Sequence, residues 1–224
     1  MGRADDALRR LLRQYKVEWH PETGDPFRSL VRTILSQNTN YRNEAMAYKR
    51  LEDTVGITPE NLAKASVGAI AEAIRPAGMY NQRGKTLKAI SSVVMDDYDG
   101  DISPILDKPY SEAREELMAL PGVGQKTADV LLMFDAGMEI IPVDRHIFRI
   151  TKRLRLVPEK AKYDAVRRVL ESAAPPGKHK DVHVLLIRFG REICRAQRPK
   201  CGECFLRDMC PYPDGKLALE DVEM

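Results

Sequence analysis

Residues 120–129 read Leu120-Pro121-Gly122-Val123-Gly124-Gln125-Lys126-Thr127-Ala128-Asp129, and this stretch decides how the rest of the chain is read. Apolar residues at helical spacing precede it (Ala113–Leu120) and resume directly after it (Ala128–Phe134), with Pro121-Gly122 as the break between them. Two glycines one residue apart, Gly122 and Gly124, permit a tight turn and let backbone N–H groups face outward where the second helix begins. Such groups, together with the helix dipole, suit a phosphate oxygen. Leu120 and Val123 are placed to bury inward and lock the turn. A lone G-x-G is common in helix–helix connections. L-P-G-V-G followed by an amphipathic helix is more specific, and reads as a helix–hairpin–helix element that grips a DNA backbone without reading its sequence.

Outward from the hairpin the chain continues in helical periodicity. Apolar residues recur at three- and four-residue intervals through Phe27–Leu35, Ala45–Leu51, Ile70–Ile74, Leu87–Val94, Ile147–Leu154, Tyr163–Leu170 and Val182–Ile193. Residues 1–15 form a further amphipathic helix through Leu8, Leu11 and Leu12. Helix starts are signalled at Thr58-Pro59-Glu60, at Ser66 and at Ser111 before Glu112. Breaks are signalled at Gly78, Gly100, Pro109, Gly137, Pro142 and Pro175-Pro176-Gly177. No strand-like alternation persists, so an all-α fold is expected.

At 224 residues the chain is long enough for one large domain or two small ones. It has no apolar run approaching a membrane span and no signal-peptide pattern, so a soluble, intracellular protein with no membrane partner is expected. A formal net charge of +3 does not by itself imply nucleic acid. From Arg145 to Arg168, however, nine Lys/Arg stand against two acids, while the tail after Asp208 is acidic. A basic stretch of this kind reads more often as a solvated helical face than as a DNA site, and it supports a nucleic-acid reading reached by other means.

All four cysteines fall within 17 residues as C-x6-C-x2-C-x5-C: Cys194, Cys201, Cys204 and Cys210. Buried cysteines used as small hydrophobes would scatter, and two disulfides would be unusual in an intracellular chain. A metal site remains. Zinc held by four cysteines usually takes two C-x2-C knuckles, and here only Cys201/Cys204 makes one. Loops of six and five residues can wrap a cuboidal iron–sulfur cluster, so the spacing leans towards iron–sulfur and leaves zinc open. Arg195, Arg198, Lys200 and Arg207 stand ready to offset an anionic cluster and to face phosphate.

Lys126 occupies the first turn after the hairpin, where a cation opposes the helix dipole. That placement favours the free amine a nucleophile requires, although a phosphate-contacting lysine would stand there equally well. Eighteen residues on, Pro142-Val143-Asp144-Arg145-His146-Ile147-Phe148 places Asp144 at a helix start, where a capping role is the commoner explanation of a single Asp. His183, in the helix before Cys194, reads as a packed or hydrogen-bonded side chain rather than a ligand.

Taken together, the hairpin, the Asp144 segment and the cysteines resemble the endonuclease III family of helix–hairpin–helix DNA glycosylases. The resemblance runs from about Phe27 to Tyr212 and also takes in D-P-F-R-S-L-V and G-M-Y-N-Q-R-G-K (Gly78–Lys85). It implies two helical domains with DNA bound in the cleft between them. A six-helix barrel carrying the hairpin would span residues 23–137, and residues 1–22 with 138–224 would form the cluster domain. By the same resemblance the four cysteines hold a [4Fe–4S] cluster. Lys126 and Asp144 match the catalytic lysine and aspartate, and His146 matches a supporting or phosphate-contacting histidine. Gln37 matches a residue that fills the gap left by an extruded nucleotide, Met79 a second wedge, and Gly122 and Gly124 the backbone-gripping hairpin. The implied partner is double-stranded DNA with a damaged base or abasic site. The implied setting is the cytoplasm or nucleoid of a prokaryote, with the protein acting as a monomer.

The Leu35-Ser36-Gln37-Asn38-Thr39-Asn40 segment departs from the pattern of bacterial members, which often have alanine on either side of the glutamine and an acid at the position of Asn40. That departure borders the base pocket, so the lesion is less defined than the reaction. Mismatch thymine/uracil glycosylases of the superfamily can lack the lysine, and adenine glycosylases have a glutamate near Thr33. A non-catalytic DNA-binding protein on this scaffold would have no need for both Lys126 and Asp144.

Overall fold

The computed structural model describes residues 2–17 and 24–212, and among them the chain is all-α, with no strand. The 22/23 domain boundary and most of the acidic tail expected from the sequence lie outside the described residues. The described residues fall into two compact units, one made of residues 2–17 and 139–212, the other of residues 24–138.

The contiguous unit begins with α2 (Pro26–Ser36), where Pro26 stands at the first helical position and the Asp25 carboxylate accepts from the N–H groups of Phe27 and Arg28. α3 (Tyr41–Thr54) is capped in the same way by Asn40, α4 (Pro59–Lys64) by Thr58, and α5 (Val67–Ala73) by Ser66. A long helix, α6 (Tyr80–Tyr98), packs on α4 and α5; Gly84 permits the approach, since a Cβ there would lie 3.2 Å from the Val67 carbonyl oxygen. Lys88 donates to the carbonyls of Ala63 and Ala65 (2.6 and 2.7 Å), placing a cation at the C-terminal end of α4. After the short α7 (Ser103–Leu106), α8 (Tyr110–Ala119) and α9 (Gln125–Phe134) flank the hairpin. The core is Leu30, Val31, Ile34, Leu35, Leu51, Leu62, Ile70, Leu87, Ile90, Leu131 and their neighbours.

α4 and α7 lie outside the periodic segments read from the sequence, being too short to show a period. The start expected at Ser111 is corrected: α8 opens at Tyr110 behind Pro109, and Ser111 sits within its first turn with no cap role.

The discontinuous unit packs α1 (Arg3–Gln14) against α11 (Tyr163–Ala173) and α12 (His179–Glu192), with α10 (Arg145–Arg153) also against α12. Leu8, Leu11, Ile147, Ile150, Val166, Leu170, Leu185 and Phe189 form its core. The cysteine loop docks on this core through Leu206 and through Phe205, whose ring lies 5.2 Å from that of Phe189 and 6.1 Å from that of Tyr15. α1 clasps the loop from outside: Arg3 donates to the Met209 carbonyl, and Arg10 pairs with Asp208 at 2.8 Å.

Candidate functional site

In the contiguous unit, Leu120 and Val123 are buried as the sequence suggested, and the Val123 N–H closes the turn on the Leu120 carbonyl. Gly122 lies at φ 73°, and a Cβ on it would meet Thr86 Cγ2 at 2.6 Å, so both backbone and space require glycine. Gly124 differs. Its backbone is extended (φ −101°) and a Cβ would meet no protein atom within 4 Å. It begins α9 with no side-chain cap, which presents first-turn N–H groups to an outside acceptor.

The hairpin is cross-braced from behind. Asp129 of α9 is fully buried, and its Oδ1 accepts from Arg114 Nε (2.9 Å) and Tyr110 Oη (3.0 Å) of α8. Lys126 is half-buried at the second position of α9. Its neighbour Thr127 is buried and accepts at Oγ1 from Gln37 Nε2 (3.3 Å), which joins the end of α2 to the first turn of α9. Met79 stands before α6 with φ 49°, a left-handed conformation unusual for methionine, and is 62% exposed. Gln37, Thr127 and the hairpin are thus brought together within one unit. Thr127 is a member of this group that sequence reading passed over.

Asp144 and His146 belong to the other unit. The segment leading to them is fixed by three bonds: the Ile141 N–H to Glu171, the Val143 N–H to Tyr163 Oη, and His183 Nδ1 to the Pro142 carbonyl (2.9 Å). His183 is therefore a buried hydrogen-bonding residue, with the proton on Nδ1. Asp144 caps α10, but with one oxygen only: Oδ1 accepts from the N–H groups of His146 (2.8 Å) and Ile147 (2.9 Å). Among the described residues Oδ2 accepts no bond, so the capping and chemical roles set against each other in the sequence reading are compatible.

His146 packs on Gly190, where a Cβ would lie 2.9 Å from that of the histidine. Arg149 Nη2 lies 3.1 Å from His146 Nδ1, and since guanidinium only donates, Nδ1 is the acceptor and His146 is neutral. Burial pushes the His146 pKa below its ordinary value, opposed by Asp144 and reinforced by Arg149. Arg149 also donates to the carbonyls of Cys194 (3.0 Å) and Gly190 (3.0 Å). A bonded path thus runs from Asp144 through His146 and Arg149 to the first cysteine.

The four cysteines are unpaired, and all four line one pocket. Among the described residues, no three His, Cys, Asp or Glu side chains are grouped so as to hold a single metal ion. Burial raises the Cys204 and Cys210 thiols, and the neighbouring cysteines add to it, so holding them as thiolates requires positive charge. The sequence pointed to loop arginines for that purpose, and of these Arg207 lines the pocket. A residue it missed stands inside: Arg153 of α10, 7% exposed, donates towards Cys194 Sγ (3.5 Å) and binds the carbonyls of Arg195 (2.6 Å) and Ala196 (3.0 Å). Tyr212 covers its face at 4.1 Å. A pocket lined by four thiols and a buried guanidinium fits an anionic iron–sulfur cluster.

Arg153→Met keeps the side chain's bulk but leaves two loop carbonyls unpaired, each at a cost of about 1–3 kcal/mol, and removes the charge. The expected outcome is a chain purified with less than half the wild-type iron and a lower melting temperature. Full iron content would show the guanidinium to be dispensable.

Residues 31–176 match the HhH-GPD superfamily of base excision DNA repair proteins, and residues 194–210 match the iron-sulfur binding domain of endonuclease III. The chain is 36% identical to endonuclease III of Thermotoga maritima over 86% of its length and 85% of that protein. It is 30% identical to endonuclease III of Sulfolobus acidocaldarius over 95% and 97%. Among solved structures it resembles a trapped endonuclease III–DNA covalent intermediate (TM-score 0.79, 27% identity, 94% of each chain). It also resembles a thermostable thymine-DNA glycosylase (TM-score 0.78, 25% identity, 95% and 97%).

Proposed function

Since the chain belongs to the HhH-GPD superfamily of base excision DNA repair proteins, in its endonuclease III branch, we propose how its residues carry out a glycosylase and AP-lyase reaction on DNA. It is a base-excision DNA glycosylase with AP-lyase activity, and it carries an iron–sulfur cluster on its four C-terminal cysteines. The preferred lesion is an oxidised pyrimidine. The observations that support the residue roles are, in one unit, an uncapped hairpin helix bearing Lys126 and, in the other, an Asp144 whose Oδ2 accepts no bond among the described residues.

The damaged nucleotide leaves the base stack, because C1′ is out of reach within it. Gly122 and Gly124 hold the phosphates on either side, Gln37 fills the vacated space, and Met79 enters the stack beside it. The free amine of Lys126 attacks C1′; the C1′–base bond breaks and the base leaves with its electron pair. Asp144 accepts the proton shed by the amine and stabilises positive charge developing on the sugar. Ring opening gives a Schiff base at C1′, which acidifies the C2′ hydrogen. Loss of that proton expels the 3′ phosphate, and hydrolysis frees the lysine. When bound, the cluster would be held by Cys194, Cys201, Cys204 and Cys210 and would order the loop that offers Arg195, Arg198 and Lys200 to DNA. The protein acts as a monomer.

Borohydride trapping tests this on duplexes containing thymine glycol, 5,6-dihydrouracil, uracil or a G·T mismatch. A covalent adduct strongest with the oxidised pyrimidines is expected. A mismatch preference would favour the second reading, for which the likeness to a thymine-DNA glycosylase and the unusual Asn38–Asn40 segment speak. Base release without an adduct on any duplex would exclude the lysine route.

A further inference from the structure

Arg83 of α6 is 4% exposed, and its guanidinium meets three main-chain carbonyls and, among the described residues, no carboxylate. Nη1 donates to Ala77 (2.6 Å) and Gly78 (3.0 Å), while Nη2 donates to the carbonyl of Gln37. A buried cation without an anion is costly, and burial lowers its pKa accordingly. What it holds explains why the fold keeps it.

Ala77 and Gly78 lead directly into Met79 at φ 49°, and Gln37 leads directly into Asn38 at φ 51°. Each is a non-glycine residue in the left-handed region, a conformation that persists only where the surroundings over-determine it. One planar fork of fixed donors reaches both turns at once, which a single-point cation does less well. We propose that Arg83 is a positioning residue that holds the Gln37 turn and the Met79 turn in fixed register, so that both side chains enter the duplex together at an extruded nucleotide. This rests on the reading of Gln37 and Met79 as gap-filling residues.

The test compares single-turnover base release from a dihydrouracil duplex with nicking of a duplex carrying a preformed abasic site, which has no stacked base to displace. For Arg83→Met, release from the lesion duplex is expected to fall about 10–100-fold, the size of effect a misplaced group produces, and nicking at the abasic site by a clearly smaller factor. Arg83→Lys, with three donors on one nitrogen, should recover part of the loss. A 2-aminopurine beside the lesion should brighten less on binding in the same order. Equal losses on both substrates, or undiminished lesion release, would overturn the assignment. If Arg83→Met does not fold, Arg83→Lys decides alone: a loss larger on the lesion duplex supports the assignment, and an equal or absent loss overturns it. Gln37→Ala and Met79→Ala are measured alongside. Undiminished lesion release in both sinks the gap-filling reading itself, and a wild-type protein that forms no trapped adduct sinks the enzymatic one.

Discussion

Lys126→Ala abolishes the borohydride-trapped adduct and lowers base release by on the order of 10⁴–10⁶-fold, the range seen when a covalent nucleophile is removed. Duplex binding is expected to survive, because in the proposed reading the hairpin grips phosphate through its backbone: Gly122 sets the turn and Gly124 opens the helix, and neither depends on the lysine side chain. The fold also survives. Alanine is the strongest helix former, and the substitution lies in the first turn of α9 on a half-buried side chain. Retained binding with lost chemistry is what separates a nucleophile from the phosphate-contacting lysine that the sequence left equally open. A variant that still traps, or one that fails to bind while remaining folded, would assign Lys126 to DNA contact and place the nucleophile elsewhere.

Asp129→Ala has the larger effect on stability. The carboxylate is fully buried and is shared by Arg114 and Tyr110, so its removal takes the buried acceptor away from a mostly buried guanidinium. Breaking such a pair from one side costs about 3–5 kcal/mol. For a chain of this size that corresponds to a fall of roughly 6–20 °C in melting temperature. Asp129→Asn, which keeps an acceptor and drops the charge, should fall in between. Because the lost brace joins the two helices of the hairpin, DNA affinity should fall in parallel with stability, even in folded protein at low temperature. A melting temperature unchanged to within about 2 °C would mean that the ion pair contributes nothing to the hairpin.

The helices were legible because their apolar residues repeat over several turns and their starts carry Asp, Thr, Ser or Pro; α4 was legible only by its Thr58-Pro59 start and α7 not at all, both having too few residues to show a repeat. Spacing alone identified the cysteine site, but only part of its charge compensation, Arg207, lay in the loop. Arg153 sits in a basic stretch that reads as a solvated face, yet it falls three residues after Ile150 and six after Ile147, on the buried side of α10. That register was the available signal. Arg83 had no comparable signal. Among Asn81, Gln82 and Lys85 it looks like any exposed cation, and its partners are backbone carbonyls, which every sequence contains. Asp144 was legible as a cap, which the structure shows, but a sequence does not show that a capping carboxylate can keep its second oxygen free of bonds to the described residues.

The clasp of Arg3 and Arg10 on the turn at Arg207–Met209 joins residues some two hundred positions apart, whereas the unit bearing the hairpin is built from one continuous run of chain. On the ribosome these two facts impose an order. The hairpin-bearing unit can close as soon as Met138 has emerged, while α1, already exposed, must wait until α11 and α12, the helices it packs against, have been synthesised, and its contacts with the cysteine loop form last. The four cysteines are therefore complete only after the hairpin-bearing unit has emerged, so iron–sulfur insertion follows the point at which that unit can fold.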